Sequence, residues 1–136
     1  MSEENVQIVR RCYEALRKDD LGQFLDHVHP DVEWHSLILE IEGVFHGHDG
    51  VRKWWRELRS VFPDWDPSIG EVRDLGDYVL VHAHGIGSGA SSGVGISDDF
   101  WQIARFRDGL MAWYGAFRSE AEALEAAGLS EQLREE

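Results

Sequence analysis

The sequence predicts an α+β domain in which helices come first and cover one face of a curved, mostly antiparallel sheet. Apolar residues recur at helical spacing in three segments of the first 62 residues, and most of the chain from there to Arg118 alternates as strands do. Asp108-Gly109, between the last two apolar runs, is a strong signal for a two-residue β-hairpin. Helices followed by a meander of strands are typical of the α+β class.

Three helices are expected in the N-terminal half. The first lies in SEENVQIVRRCYEALRKDD, where an acidic turn follows Ser2 and apolar residues keep helical spacing. The second is short: Asp20 caps it, Val28 belongs to its apolar stripe and Pro30 ends it. The third lies in HDGVRKWWRELRSVFPD, whose apolar residues share one side and which Pro63 terminates.

Strands are expected between and after these helices. Val32 and Trp34 alternate with polar neighbours, whereas SLILEIEGVFHG fits either a strand or an extended loop. Later strands are predicted near 69–75 and in VLVHAHGIG, DDFWQIARFR and LMAWYGAFR. The glycine-rich run GIGSGASSGVGISDD is interpreted as a hairpin connection, because a phosphate-binding loop requires a helix after it and here a strand follows.

The C-terminal segment contains the signature of one more helix. Ser119 and Glu122 form a capping box, and Gly128 stops the helix that they start. The remaining LSEQLREE is expected to fray. A chain of 136 residues with 43% hydrophobic content suffices for one core, so residues 1–136 are expected to form a single domain with its core at about 3–129.

The charge balance excludes several classes of partner. With 13 basic and 26 acidic residues, the formal charge of -13 repels nucleic acids and anionic membranes. No apolar run reaches the roughly 20 residues that span a bilayer, and the N-terminus lacks the order of a signal peptide, so a cytoplasmic location is expected. Cys12, the only cysteine, excludes a disulfide within the chain and is expected to be a small buried hydrophobe.

Two histidines lie one residue apart in a strand that otherwise looks buried. His82 and His84 share one face with Leu80 and Ile86, and we expect this face to point into the cavity of the domain. A neutral imidazole there can act as a general acid or base near pH 7, or can belong to a buried hydrogen-bonded network that only fixes the core.

The spacing of the histidines also invites a metal interpretation. All seven occur as His27-x-His29, His46-x-His48, His82-x-His84 or as His35. A zinc site needs further ligands at suitable spacing, and the facing strands offer no second ligand pair. No metal and no cofactor are predicted.

The predicted hairpin assigns the two faces of the last strands. Alternation places Gln102, Phe106 and Tyr114 on one face, toward the cavity. The opposite face carries Trp101, Ile103 and Trp113. Because tryptophans are poorly suited to open water, we expect a second copy of the chain to cover this face in a homodimer.

The order of the motifs CYEALRKDD, HPDVEWHS, FHGHDGVRKWWREL, RFRDGLMAWYGAFR and SEAEALEAAGL resembles the SnoaL-like branch of the NTF2-like superfamily, over roughly 3–129. The resemblance implies a cone-shaped α+β barrel around a deep pocket that helices close, often dimeric through the outer sheet face. Relatives include polyketide cyclases, ketosteroid isomerase, epoxide hydrolases and dehydratases, so the fold alone does not assign a reaction.

The comparison with ketosteroid isomerase can be made by position. Ungapped matching of DVEWHS places the family's carboxylate base at Ser36, and the protonated acid of the later strand falls on Gln102. Neither residue can play that part, so the steroid isomerase pattern is excluded. Tyr13 or Tyr114 can still donate a hydrogen bond to an oxygen in the pocket.

Two functional hypotheses follow. In the first, the chain acts on a hydrophobic, oxygen-bearing compound by metal-free isomerisation, cyclisation, dehydration or hydrolysis. His82 or His84 would move the proton, and Tyr114 and Gln102 would polarise oxygen. Further ligand contacts are expected from Tyr13, Trp34, Ser36, Trp55 and Phe106. In the second, the chain is a noncatalytic ligand-binding or dimerisation module whose histidines are structural.

Overall fold

The computed structural model describes residues 2–38, 41–88 and 95–128. The elements are α1 (Ser2–Arg17), α2 (Leu21–Leu25), β1 (Val28–Ile38), β2 (Ile41–His46), α3 (Gly47–Val61), β3 (Asp66–Asp74), β4 (Tyr78–Ser88), β5 (Gly95–Arg107), β6 (Leu110–Phe117) and α4 (Glu120–Ala126). This order confirms the predicted α+β class. Residues 89–94 of the predicted hairpin connection and the predicted frayed tail lie outside the described residues.

The strands form one sheet in the order β2-β1-β6-β5-β4-β3. Neighbouring strands are antiparallel except β1 and β6, which run parallel. These two strands are far apart in sequence, so no tight turn imposes an antiparallel arrangement on them. The sheet is therefore mixed and mostly antiparallel, as predicted.

Helices cover both faces of the sheet, but unequally. α1 packs on β3 and β4, and α3 packs on β1 and β2, which together bury the face that we call the inner face. α3 turns Val51, Trp54, Trp55 and Leu58 toward it. The short α4 packs on β5 and β6 from the opposite side, the outer face, where Leu80 and Ile103 are buried. None of the described helices is long and apolar enough to cross a membrane.

The second helix is shorter than predicted. Asp20 caps it, since its carboxylate accepts a hydrogen bond from the Gln23 amide at 3.1 Å. The helix nevertheless ends at Leu25, so the prediction that Val28 belongs to it and that Pro30 ends it is wrong. Val28 instead pairs with β6 as the first residue of β1, and Pro30 falls where the register of that pair shifts, a position that tolerates the missing proline N–H.

The ambiguous segment SLILEIEGVFHG forms the end of β1 and all of β2. The two strands pair in register from Glu33 opposite His46 to Ile38 opposite Ile41. Of the two alternatives for residues 41–46, a strand or an extended loop, the structure therefore has the strand.

The predicted β5–β6 hairpin and the last helix are confirmed. Asp108 and Gly109 have φ values of 56° and 77°, the left-handed pair that a type I′ turn requires. Ser119 caps α4, because its hydroxyl accepts a hydrogen bond from the Glu122 amide at 3.1 Å. Gly128, with φ of 74°, follows the helix in the left-handed conformation typical of a helix stop.

Candidate functional site

A cavity of about 40 Å³ lies between α1, α3 and the inner face of the sheet. Aromatic side chains supply much of its wall: Tyr13, Phe24, Trp34, Trp54, Trp55, Trp65, Phe100 and Tyr114. Most of the other lining residues are aliphatic. The cavity is therefore an apolar space suited to hydrophobic ligands.

The aromatic wall is held in fixed orientations. Trp34, only 1% exposed, stacks on Tyr114 with ring centroids 3.7 Å apart, and Phe24 meets its edge at 5.6 Å. Trp54 donates from its Nε1 to the Ser36 hydroxyl at 3.0 Å. These contacts leave the rings little freedom to turn.

Trp55 is held by the α1–α2 connection and by a residue of its own helix. Its Nε1 donates to Asp19 Oδ1 at 2.8 Å, and the guanidinium of Arg59 lies 5.6 Å from the centre of its ring. Asp19 follows the end of α1 with φ of 56°, a left-handed conformation that Asp tolerates better than most residues. The α1–α2 connection therefore helps to position one wall of the cavity.

Few polar groups reach the cavity. Gln102 brings an amide from β5 and is 6% exposed. Tyr13 Oη and Trp34 Nε1 are buried and, within the described part of the chain, have no hydrogen-bond partner. Buried polar groups are normally hydrogen-bonded, so each of these two donors is left without its usual acceptor.

The titratable groups of the wall are neutral near pH 7. Burial raises the pKa of the Cys12 thiol to about 12. Burial likewise raises the pKa of the Tyr114 and Tyr13 hydroxyls above their ordinary value, with smaller contributions at Tyr13 from Tyr114 and Cys12. Each of these groups keeps its proton, so the wall offers hydrogen bonds but no ionised base.

His82 and His84 do not face the cavity, and the prediction that they do is wrong. β4 and β5 pair with Val81 opposite Gln102 and with His82 opposite Trp101. Directly paired residues share a face, and Val81 and Gln102 line the cavity, so the two histidines lie on the outer face. Alternation separates the two sets of side chains along a strand, but only pairing with a neighbour decides which set faces inward.

The outer face holds these histidines beside an aspartate. His84 Nδ1 lies 2.7 Å from Asp99 Oδ1, and His82 Nε2 lies 3.9 Å from the same oxygen. All three side chains are more than a third exposed. Within residues 2–38, 41–88 and 95–128, no cluster of three or more His, Cys, Asp or Glu side chains could hold a metal ion.

Five of the residues predicted for the site line the cavity together: Tyr13, Trp34, Trp55, Gln102 and Tyr114. Ser36 and Phe106 are buried but do not line it. The Ser36 hydroxyl instead orients Trp54, and Phe106 lies beyond a register shift that follows Arg105. Ser36 therefore supports a wall residue and does not line the cavity itself, and Phe106 belongs to the surrounding hydrophobic core.

The SnoaL-like domain family matches residues 9–114, which is most of the chain. The chain belongs to the SnoaL-like domain family. The structural neighbours place it in the NTF2-like superfamily, as the sequence motifs suggested. Among proteins of curated function, none matches this sequence.

Three solved structures of different proteins share the fold of this SnoaL-like domain. An NTF2-like protein of unknown function from Burkholderia pseudomallei is 25% identical, with a TM-score of 0.78 over 90% of this chain and 95% of its own. TerC, crystallised with polyporic acid, is 22% identical, with a TM-score of 0.77 over 90% and 98% of the two chains. IdmH, a candidate polyketide cyclase from Streptomyces antibioticus, is 19% identical, with a TM-score of 0.70 over 90% and 96%.

Trp65 is one of the wall residues of the SnoaL-like domain that the sequence analysis did not predict. Trp65, 4% exposed, lines the cavity and also lines a surface groove of about 560 Å³. Its ring lies against Gly85 and Gly87 of β4. A Cβ at Gly85 would collide with the ring, whereas a Cβ at Gly87 would make a tight contact at 3.2 Å. The signal was available in the glycines of HAHGIGS, since glycine inside a strand often marks the close approach of another group.

Proposed function

We propose that this SnoaL-like domain binds a small, neutral, hydrophobic molecule that carries oxygen, in the cavity under α1 and α3. The observation that carries the proposal is the cavity wall itself: an aromatic enclosure interrupted by the polar groups of Tyr13, Trp34 and Gln102. An apolar pocket with a few convergent polar groups is the usual form of a small-molecule site.

The wall favours binding over acid–base catalysis. A general base needs a pKa near the working pH and a position within hydrogen-bond reach of its substrate. Among the described residues that line the cavity there is no carboxylate and no imidazole, and the pKa values of Cys12, Tyr13 and Tyr114 are raised by burial. The noncatalytic hypothesis is therefore better supported than proton transfer by His82 or His84, which lie across the sheet from the cavity.

A ring-sized ligand must displace part of the wall. The cavity of about 40 Å³ is smaller than the roughly 150 Å³ of an engineered apolar cavity that holds benzene. Trp65 is the side chain that lines both the cavity and the surface groove. Movement of Trp65 would join the two spaces, so the access route of the proposed ligand runs past this ring.

The test uses indane, a flat hydrocarbon, as probe. Heteronuclear NMR of the Trp indole N–H groups should show saturable shifts for cavity residues such as Trp34 and Trp54. Ala104→Leu, which places a larger side chain in the cavity wall, should weaken this binding at least severalfold, whereas His82→Ala on the outer face should leave it unchanged. Shifts that are absent, or that persist equally in a folded Ala104→Leu variant, would contradict the proposal.

The proposed partner on the outer face is a second copy of the chain. α4 covers Leu80 and Ile103, but Trp101, Trp113 and Phe117 remain only partly buried. The large hydrophobic side chains that are exposed among the described residues, Val44 and Ile86, belong to the same face by strand pairing and alternation.

Charge on this face is compatible with self-association. Because two chains of formal charge -13 repel each other, the contacting surface must supply favourable contacts that offset this repulsion. On the outer face, His35 lies 3.3 Å from Glu33, and His84 contacts Asp99. The aromatic groups and these paired polar groups support a homodimer through this face.

A further inference from the structure

We propose that the ligand of the cavity carries a neutral, hydroxyl-rich group, the sugar of a glycoside, and that this group lies in the surface groove beside Trp65. The inference rests on the proposed function and extends its ligand to a molecule whose apolar part alone enters the cavity. The composition of the groove carries it, because cationic and anionic side chains line the groove in equal numbers: Arg17, Lys18 and Arg59 against Glu14, Asp64 and Asp66.

The groove provides the space that the cavity lacks. Its volume of about 560 Å³ falls in the range of roughly 300–1,000 Å³ that is usual for small-molecule sites, whereas the cavity has about 40 Å³. Trp65 lines both spaces, so they are neighbours across this ring. A ligand that enters past Trp65 can therefore place a small apolar part in the cavity and its larger part in the groove.

Contacts within the fold hold several polar groups of the groove in place. Arg17 Nε donates to Asp66 Oδ1 at 2.9 Å, which ties α1 to β3. Asp64 Oδ1 accepts a hydrogen bond from the Ser88 amide at 2.8 Å, and this bond lowers the pKa of the Asp64 carboxyl below its ordinary value. The groove thus presents cationic donors and ionised acceptors in fixed positions.

Two further groups of the groove are not used by the fold. The Lys18 ammonium and the Glu14 carboxylate lie on exposed positions of α1, and neither forms an ion pair or a side-chain hydrogen bond with another described residue. They add a donor and an acceptor that remain available to a ligand.

Hydroxyl groups match this mixture of side chains better than a charged group does. Carboxylates only accept hydrogen bonds, and ammonium and guanidinium groups only donate them. A hydroxyl does both, so a sugar can satisfy both kinds of side chain at once. An anionic group would meet the carboxylates of the groove and a cationic group its basic side chains, so either would be repelled by half of the charged lining.

The experiment compares probes that share a phenyl ether and differ in the group attached to it. Isothermal titration gives dissociation constants for anisole, phenyl β-glucoside, the anionic phenyl β-glucuronide and the cationic phenoxyethylamine. The parent chain should bind phenyl glucoside about tenfold more tightly than anisole, and should bind both charged probes less tightly than the glucoside.

Variants of the groove test which side chains produce this preference. Lys18→Ala removes one donor and should reduce the preference for phenyl glucoside over anisole about threefold. The matched control Lys53→Ala removes the same charge from an exposed position of α3 outside the groove and should retain the preference. Asp66→Ala leaves Arg17 without its carboxylate, so the affinity for phenyl glucuronide should rise relative to that for the glucoside.

The outcomes separate this inference from the proposed function. If indane and anisole bind but phenyl glucoside binds no more tightly than anisole, or if Lys18→Ala and Lys53→Ala lower the preference equally, the groove inference is wrong and the proposed function stands. Tighter binding of either charged probe than of the glucoside by the parent chain would also overturn the inference. If neither indane nor any phenyl probe binds, both proposals are wrong.

Discussion

The imidazole of His82 stacks on the indole of Trp101, with ring centroids 4.3 Å apart and planes inclined by 8°. The stack lies on the outer face, because His82 is paired with Trp101 while the neighbouring Val81 is paired with Gln102 of the cavity wall. The sheet thus separates the imidazoles of His82 and His84 from any ligand in the cavity.

The first prediction follows from this separation. His82→Ala and His84→Ala should each change the dissociation constant of indane by no more than about twofold, since distant sites without shared contacts behave independently. Isothermal titration of the two variants checks this expectation. A loss of tenfold or more in either folded variant would show that these histidines reach the ligand.

Substitution of Gly85 should strain the wall of the cavity. A Cβ at Gly85 would overlap the six-membered ring of Trp65, whereas the nearest atom to a Cβ at Gly70 would be 3.5 Å away. We expect Gly85→Ala to lower the free energy of unfolding by about 1–3 kcal/mol, the usual cost of overpacking. Gly70→Ala should be neutral or slightly stabilising.

Urea unfolding of both variants measures the difference. In a Trp65→Ala background, Gly85→Ala should cost much less, because the colliding ring is gone. An equal cost of Gly85→Ala in both backgrounds would contradict the proposed collision.

The buried thiol predicts a loss of stability at alkaline pH. Burial raises the pKa of Cys12 from 9.0 to about 12, so above pH 9 the unfolded chain releases a proton that the folded chain keeps. The unfolded state then binds fewer protons, and the free energy of unfolding falls with rising pH, at a slope that approaches about 1.4 kcal/mol per pH unit.

Between pH 9 and pH 10 this loss should come mainly from Cys12, because Tyr13 and Tyr114 titrate in the unfolded chain only near 10.0. Cys12→Ala should therefore flatten the decline in that range. Urea unfolding at a series of pH values measures the slope, and an identical slope in parent and variant would exclude Cys12 as its source.

The outer face predicts the oligomeric state. Trp113→Glu and Trp101→Glu place a charge among the partly buried aromatic groups and should convert a dimer into monomers in sedimentation velocity experiments. Gln7→Glu adds the same charge on an exposed position of α1 and should leave the dimer intact. A parent chain that sediments as a monomer at micromolar concentration would refute the homodimer.

The position of Trp65 between the cavity and the groove leads to a prediction about the rate of ligand association. Trp65→Phe reduces the size of the ring that lines both the cavity and the groove, and should raise the association rate of indane severalfold in stopped-flow fluorescence. Trp54→Phe changes a wall residue that does not line the groove and should leave the association rate nearly unchanged. Equal effects of the two substitutions would point to a different route.

Local chemistry made much of the fold predictable. The Asp108-Gly109 turn was predicted correctly and pairs Arg107 with Leu110. The placement of Gln102 and Tyr114 on one face and of Trp113 on the other was also correct, but it depends on a register shift after Arg105 that the turn does not impose. The caps Asp20 and Ser119 also act within a few residues, and both were correct. The prediction for the second helix was wrong at its C-terminal end. Val28 continues the helical spacing of apolar residues, but it pairs with β6 as part of β1.

The sequence by itself determined the α+β class, the family and five of the residues that line the cavity, because periodicity, turn residues and caps act over short distances. The tertiary structure alone decided which face of β4 meets the helices and how Trp65 lies on Gly85. Both faces of β4 contain apolar residues, so alternation alone is compatible with either face meeting the helices. The register of hydrogen bonding with β5 shows which face does so. That register placed His82 and His84 on the outer face, whereas Tyr13, Trp34 and Gln102 line the cavity.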